Sequence, residues 1–231
     1  MTYLIRARLR RDAGGSDGAL VKLVADETLA PGRRHDLVWT LFGDTAERER
    51  DFVFRMDSEG DRPVVMAYAP RPPHGDARRI WHVDHKPFTP QLFPGDRIRF
   101  SLRANPVKQQ GNRRIDAVYD TFWREREAAR AAGQPDPDRL DVAQTVGHAW
   151  LARRAPALGI ELDADSIAAQ AYRTESVFKP GRRKPFTLSV LDLTGTARVV
   201  DPQALTAALP AGVGKGKAYG CGMMLIARAS A

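Results

Sequence analysis

Two short stretches of this chain repeat one pattern, and that repetition limits what the chain can fold into. Tyr3, Ile5, Ala7 and Leu9 alternate with Leu4, Arg6, Arg8 and Arg10. About 90 residues later, Ile98, Phe100 and Leu102 alternate with Arg97, Arg99 and Arg103. A period of two puts one set on each face of a β-strand. Both strands therefore bury one face and carry arginine on the other, which predicts two similar units in tandem.

The segments between and after these strands fit that division. His35 to Phe42 predicts a short helix, with Leu37, Val38, Leu41 and Phe42 at helical spacing and Gly43 as its stop. Phe52 to Met56 and Pro63 to Ala69 read as strands around a polar turn. Residues 70–80 are rich in Pro and Arg and read as loop or a poorly formed helix, and Trp81 to Lys86 as a closing strand. The order β-α-β-β-(weak α)-β is the ferredoxin-like arrangement.

The second unit repeats it. After the strand at 97–103 comes a polar region, 107 to 139, then an amphipathic helix from Leu140 to Ala155 with Val142, Val146 and Trp150 at steps of four. Ala169 to Phe178 and Lys184 to Leu193 are strand candidates, with Thr194-Gly195-Thr196 expected as a tight turn. Asp201 is the expected N-cap of a helix from Pro202 to Leu209, and Met223 to Ala227 is the last strand. The expected fold class is α+β, two tandem ferredoxin-like (RRM-like) domains at 1–90 and 96–231.

Charge points to the class of partner. The chain of 231 residues carries a formal net charge of +8, so a polyanion is the first inference. No apolar run approaches the ~20 residues that span a bilayer, and no membrane association is expected. Cys221 is the only cysteine, which excludes an intrachain disulfide and suits a reducing cytoplasm.

Gly212 to Gly222 holds five glycines, at 212, 214, 216, 220 and 222, together with Lys215 and Lys217. It lacks the strand–turn–helix context of a dinucleotide loop and the Ser/Thr of an NTPase loop. A backbone- and lysine-lined RNA contact through Gly214, Lys215, Gly216 and Lys217 is the better reading. Lys179-Pro180-Gly181-Arg182-Arg183-Lys184 reads as a projecting hairpin tip whose four cations are expected to contact RNA phosphates, while Arg113-Arg114 is a weaker case of the same kind. His82 and His85 lie three apart on a strand and face opposite ways, so a shared metal is not expected. His148 lies in the amphipathic helix as a structural residue. His35 follows Arg33-Arg34, which are expected to contact RNA, but spacing alone does not single it out. With no carboxylate cluster and no Cys/His ligand set, no metal and no cofactor are expected, and an enzyme built this way would use acid–base chemistry.

Taken together, several segments resemble the CasE family, the repeat-processing nuclease of type I-E CRISPR systems. These are His35-Asp36-Leu37-Val38-Trp39-Thr40-Leu41-Phe42, Arg50-Asp51-Phe52-Val53-Phe54-Arg55, Lys86-Pro87-Phe88, the run from Pro94 to Pro106, and Gly212 to Leu225. The resemblance implies recognition of a CRISPR repeat RNA hairpin, one cut at its 3′ base to yield crRNA, and association with the other subunits of Cascade. It implies His35 as the catalytic histidine. In some members a tyrosine stands three residues earlier; here that position is Gly32. It implies attack by a 2′-hydroxyl that leaves a 2′,3′-cyclic phosphate, with Lys179, Arg183 or Lys184 as the cation that stabilises the phosphorane. Two rival readings remain, a non-catalytic RNA-holding subunit and an unrelated basic RNA-binding module.

Overall fold

A computed structural model describes residues 1–10, 31–43, 49–60, 62–178 and 184–229, with backbone only at 31–33. The first unit contains β1 (Tyr3–Leu9), α1 (Pro31–Trp39), β2 (Val53–Glu59), β3 (Arg62–Ala69) and β4 (Trp81–Pro87). Its sheet runs β2-β3-β1-β4, all antiparallel. This is the ferredoxin-like order, with a 3-10 turn at Gly75–Arg79 in place of the second helix. Pro-rich residues 70–74 leave no room for a longer helix before Trp81. Ile5, Ala7 and Leu9 are buried in one cluster with Leu37 and Val38 of α1 and with Leu41 just past its end, so the alternation in β1 reads the buried face correctly.

The second unit contains β5 (Arg97–Ala104), the hairpin β6 (Val107–Gln110) and β7 (Arg113–Asp116), α2 (Ala117–Ala131), α3 (Arg139–Ala152), β8 (Ile160–Leu162), β9 (Ala168–Val177), β10 (Phe186–Val199), α4 (Pro202–Ala211) and β11 (Met224–Arg228). Its main sheet runs β11-β5-β10-β8, with β9 also on β10. Both β8 and β9 lie along the same strand, at Ala197–Val199 and Phe186–Thr194. They are one ferredoxin-like position, interrupted by the turn at Ala164–Ser166.

Two expectations are corrected here. Thr194-Gly195-Thr196 is not a turn but the interior of β10, paired with β5. Gly195 stands there because a Cβ would lie 3.1 Å from the Phe100 ring. The polar region 107–139 is not featureless either, since it holds a hairpin and the 15-residue α2, whose N-cap Asp116 accepts from the N–H groups of Val118 and Tyr119. The expected cap at Asp201 is present, accepting from Gln203 and Ala204 N–H.

The arginine faces of the two sheets turn toward each other. Arg103 of β5 donates to Asp192 and Asp57 carboxylates at 2.8–3.0 Å and to the Met56 carbonyl at 2.6 Å. Arg55 of β2 donates to the Ser101 hydroxyl at 2.7 Å. Arg6 is paired with Glu59. Arg103, read from the sequence as outward, is therefore a structural tie, because a guanidinium leaving water needs its carboxylate. Beside them, Leu4, Val53, Met66 and Tyr68 of the first unit join the apolar cluster of the second, and Tyr68 donates to the Met224 carbonyl at 3.3 Å. The units share a core and are held in register.

Candidate active site

The site lies where α1 meets the glycine-rich segment. A 3-10 turn, Lys217–Tyr219, packs on α1 and on β2. The glycines around it are dictated by packing within the protein. Gly214 has φ +78°, and a Cβ there would lie 2.7 Å from Cζ2 of Trp150. Beside Gly216, a Cβ would meet Asn105 and Cys221. A chain that passes this close to Trp150 in a left-handed conformation requires glycine.

His35 is half-buried on α1. Its ring stacks over Phe52 at 6.3 Å and lies 6.5 Å from Phe54, and its Nε2 accepts from the Trp39 indole N–H at 3.1 Å. Burial pulls its pKa below the ordinary 6.5; Asp36 pulls it up and Arg50 lowers it further. The imidazole is therefore neutral at pH 7. Arg50 anchors to the Phe52 carbonyl and sits 5.9 Å from the Phe52 ring centroid. Lys217 donates to the Ala211 carbonyl at 2.6 Å, and its pKa is lowered by burial, then by Arg50 and Lys215. Arg50 thus acts on both His35 and Lys217, and a phosphate there would relieve the repulsion among the cations.

Next to this cluster a groove of about 1020 Å³ runs along the second unit. Arg113, Arg114, Lys215, Gly216, Tyr219, Asn105 and Ser189 are among its lining residues. The Ser189 hydroxyl donates to the Asn105 amide oxygen at 3.2 Å. Arg113, Arg114 and Lys215 make no ion pair among the described residues, unlike Arg6, Arg55, Arg103 and Arg173 of the sheets.

The other site residues read from the sequence fall differently. Arg34 is paired with Glu175 of β9 at 2.9 Å, so its charge serves the joint between the units. The Arg33 side chain, Lys179, Arg182 and Arg183 lie outside the described residues. Lys184 is exposed just ahead of β10. Arg50 and Trp39 carried no role in the sequence reading. Trp39 could have been found from its i,i+4 spacing to His35; Arg50 has no such local signal. Among the described residues, no group of three or more His, Cys, Asp or Glu is placed to hold a metal ion. No helix there is long and apolar enough to cross a membrane.

Fold and site together define a paired ferredoxin-like protein with a histidine and cations gathered at the junction of its units. A family model described as CRISPR associated protein matches residues 2–228. The chain belongs to that family. It is 31% identical over 150 residues to the CRISPR-associated endoribonuclease Cse3 of Thermus thermophilus, an alignment spanning 62% of this chain and 61% of that protein. The fold is similar to Thermus thermophilus Cse3 bound to an RNA representing a pre-cleavage complex, with a TM-score of 0.68 and 23% identity over 98% of each chain. It is also similar to a chain of a CRISPR RNA-guided surveillance complex, with a TM-score of 0.62 and 20% identity over 98% of this chain and 100% of that one.

Proposed function

We propose that this protein is a cytoplasmic, metal-independent endoribonuclease that binds a CRISPR repeat hairpin, cuts it once, and stays with the crRNA 3′ hairpin inside Cascade. The observation that carries this reading is the neutral His35 held beside Arg50 and Lys217 in a chain of this family. The named activity of the Thermus relative supports it.

The 2′-hydroxyl upstream of the cut loses its proton as its oxygen bonds to phosphorus. The bond from phosphorus to the 5′-oxygen breaks, and that oxygen takes up a proton. A 2′,3′-cyclic phosphate and a 5′-hydroxyl result. His35 is the group that moves a proton, while Arg50, with Lys217 behind it, stabilises the phosphorane oxygens. Of Lys179, Arg183 and Lys184, the cations that the family resemblance suggests for this role, Lys184 alone lies within the described residues. The hairpin runs from the His35 cluster along the groove lined by Lys215, Gly216, Arg113 and Arg114. The basic run at 179–184 adds phosphate contacts.

His35→Ala tests the reading. It should abolish cleavage of a repeat hairpin while leaving affinity near wild type. EDTA should leave the wild-type rate unchanged, and a 2′-deoxy nucleotide 5′ of the cut should block it. Normal cleavage by His35→Ala would refute the assignment. Tight binding by the wild type with no scission would favour the alternative of a non-catalytic RNA-holding subunit.

A further inference from the structure

The contact between His35 and Trp39 specifies more than proximity. The two residues are four apart on α1 and share one face. The Trp39 indole N–H donates to Nε2 of His35 at 3.1 Å. An indole N–H can only donate, so Nε2 must carry the lone pair and the neutral ring must hold its proton on Nδ1. Nδ1 faces the carboxylate of Asp36, 3.9 Å away on a side chain that is 81% exposed. The donor is itself clamped: Trp39 meets Phe52 edge-to-face at 4.9 Å, and Phe52 stacks on Phe42 at 4.7 Å. Among the described residues, charged groups on the elements near α1 include Arg50, which leads into β2, Lys217 in the turn that packs on α1, and Arg173 and Glu175 of β9, with Glu175 paired to Arg34.

This arrangement suits a resting site and not a reacting one. Proton transfer at Nε2 is blocked while Trp39 occupies it. Proton transfer at Nδ1 needs a hydrogen on Nε2, which would set N–H against N–H. We infer that Trp39 is a positioning residue acting through His35: it covers the basic nitrogen in the RNA-free protein, and the imidazole leaves Trp39 when RNA is bound. The inference rests on the reading of His35 as the catalytic group. A scissile phosphate beside Arg50 and Lys217 supplies the trigger, because a nearby anion favours the imidazolium, which cannot accept from Trp39. The chemistry is then released by the substrate whose phosphate sits at the cluster, a form of induced fit.

The test is a nuclear magnetic resonance measurement of the whole protein with isotope-labelled histidine rings. In the free wild type, neutral His35 should carry its proton on Nδ1 with a hydrogen-bonded Nε2. Addition of a repeat hairpin made uncleavable by a 2′-deoxy nucleotide at the cut should abolish that signature. In Trp39→Phe, which keeps an aromatic ring against Phe52, the His35 pKa should move up toward 6.5 and the proton should redistribute to Nε2. The pH–rate profile for single-turnover cleavage should move with it, which a merely structural role would not cause. A proton on Nε2 in the free wild type, or an Nδ1 form unchanged in the complex, would overturn the inference even where Trp39→Phe fails to fold. Failure of the catalytic reading shows separately, as cleavage by His35→Ala.

Discussion

The guanidinium of Arg34 donates to the carboxylate of Glu175 at 2.9 Å, tying the helix that carries His35 to β9 of the other unit. Glu175 also receives Arg173 at 2.9 Å, and its side chain is 12% exposed. The position of His35 against the glycine-rich turn therefore depends on a pair formed between the two units.

Glu175→Gln should leave two half-buried guanidiniums without their counter-charge. The expected stability loss is about 1–3 kcal/mol. Cleavage should fall more than hairpin affinity, since α1 loses an anchor while the groove residues stay in place. A double-mutant cycle with Arg34→Met in urea unfolding checks this; additive losses would show that the pair is not coupled.

Gly214 is expected to matter for folding before it matters for RNA. Gly214→Ala combines a positive φ with a Cβ 2.7 Å from Trp150. Gly133→Ala has a similar φ, +65°, with nothing within 4 Å. The Gly133 variant should lose about 1–2 kcal/mol and the Gly214 variant about 2–4 kcal/mol. Thermal unfolding of both decides: equal losses would remove the packing argument and return Gly214 to a direct RNA role.

What the sequence made legible and what it hid follow from the range of the interactions. Ile5/Ala7/Leu9 and Ile98/Phe100/Leu102 announce buried strand faces because a period of two is local. Asp201-Pro202 announces a helix start for the same reason. Helix α2 was hidden because its apolar residues form no continuous stripe: Ala117 and Val118 are buried while Tyr119 is exposed and Trp123 partly so, among charged neighbours. Gly195 resembled a turn residue because its reason, the Phe100 ring, lies on another strand. Arg103 resembled an outward cation because Asp57 and Asp192 are distant in the chain. The candidate site was half legible for the same reason: His35 emerged only through the family resemblance, and its companions Arg50 and Lys217 come from other segments.

The groove beside the site yields a salt-dependence prediction. Arg113, Arg114 and Lys215 line it without carboxylate partners among the described residues. Replacing one of these cations by Gln should reduce the slope of log affinity against log salt by about 0.7–0.9 for each phosphate it no longer neutralises. Fluorescence anisotropy with a repeat hairpin over a salt series reads the slope. A triple variant with wild-type affinity and slope would take the groove off the RNA path.

Arg50 is the cation whose removal should be felt in two independent ways. It precedes Phe52 and Phe54, which back the His35 ring, and its charge depresses the His35 pKa after burial has already done so. The folded-state pKa lies below the unfolded value, so this histidine's contribution to stability is present above pH 6.5 and is lost as pH falls toward the folded pKa. Arg50→Gln removes one depressing influence, so that window should narrow and acid should destabilise the variant less through this group. The same rise should carry the His35-controlled limb of the cleavage pH profile to higher pH, whether His35 takes up or delivers the proton. If Arg50 also stabilises the phosphorane, its loss should lower the single-turnover rate by about 10²–10³, the scale for one transition-state donor. Measuring both separates the roles: a shifted limb with an undiminished maximal rate leaves Arg50 as a tuner of His35 alone, and an unshifted profile removes it from the site.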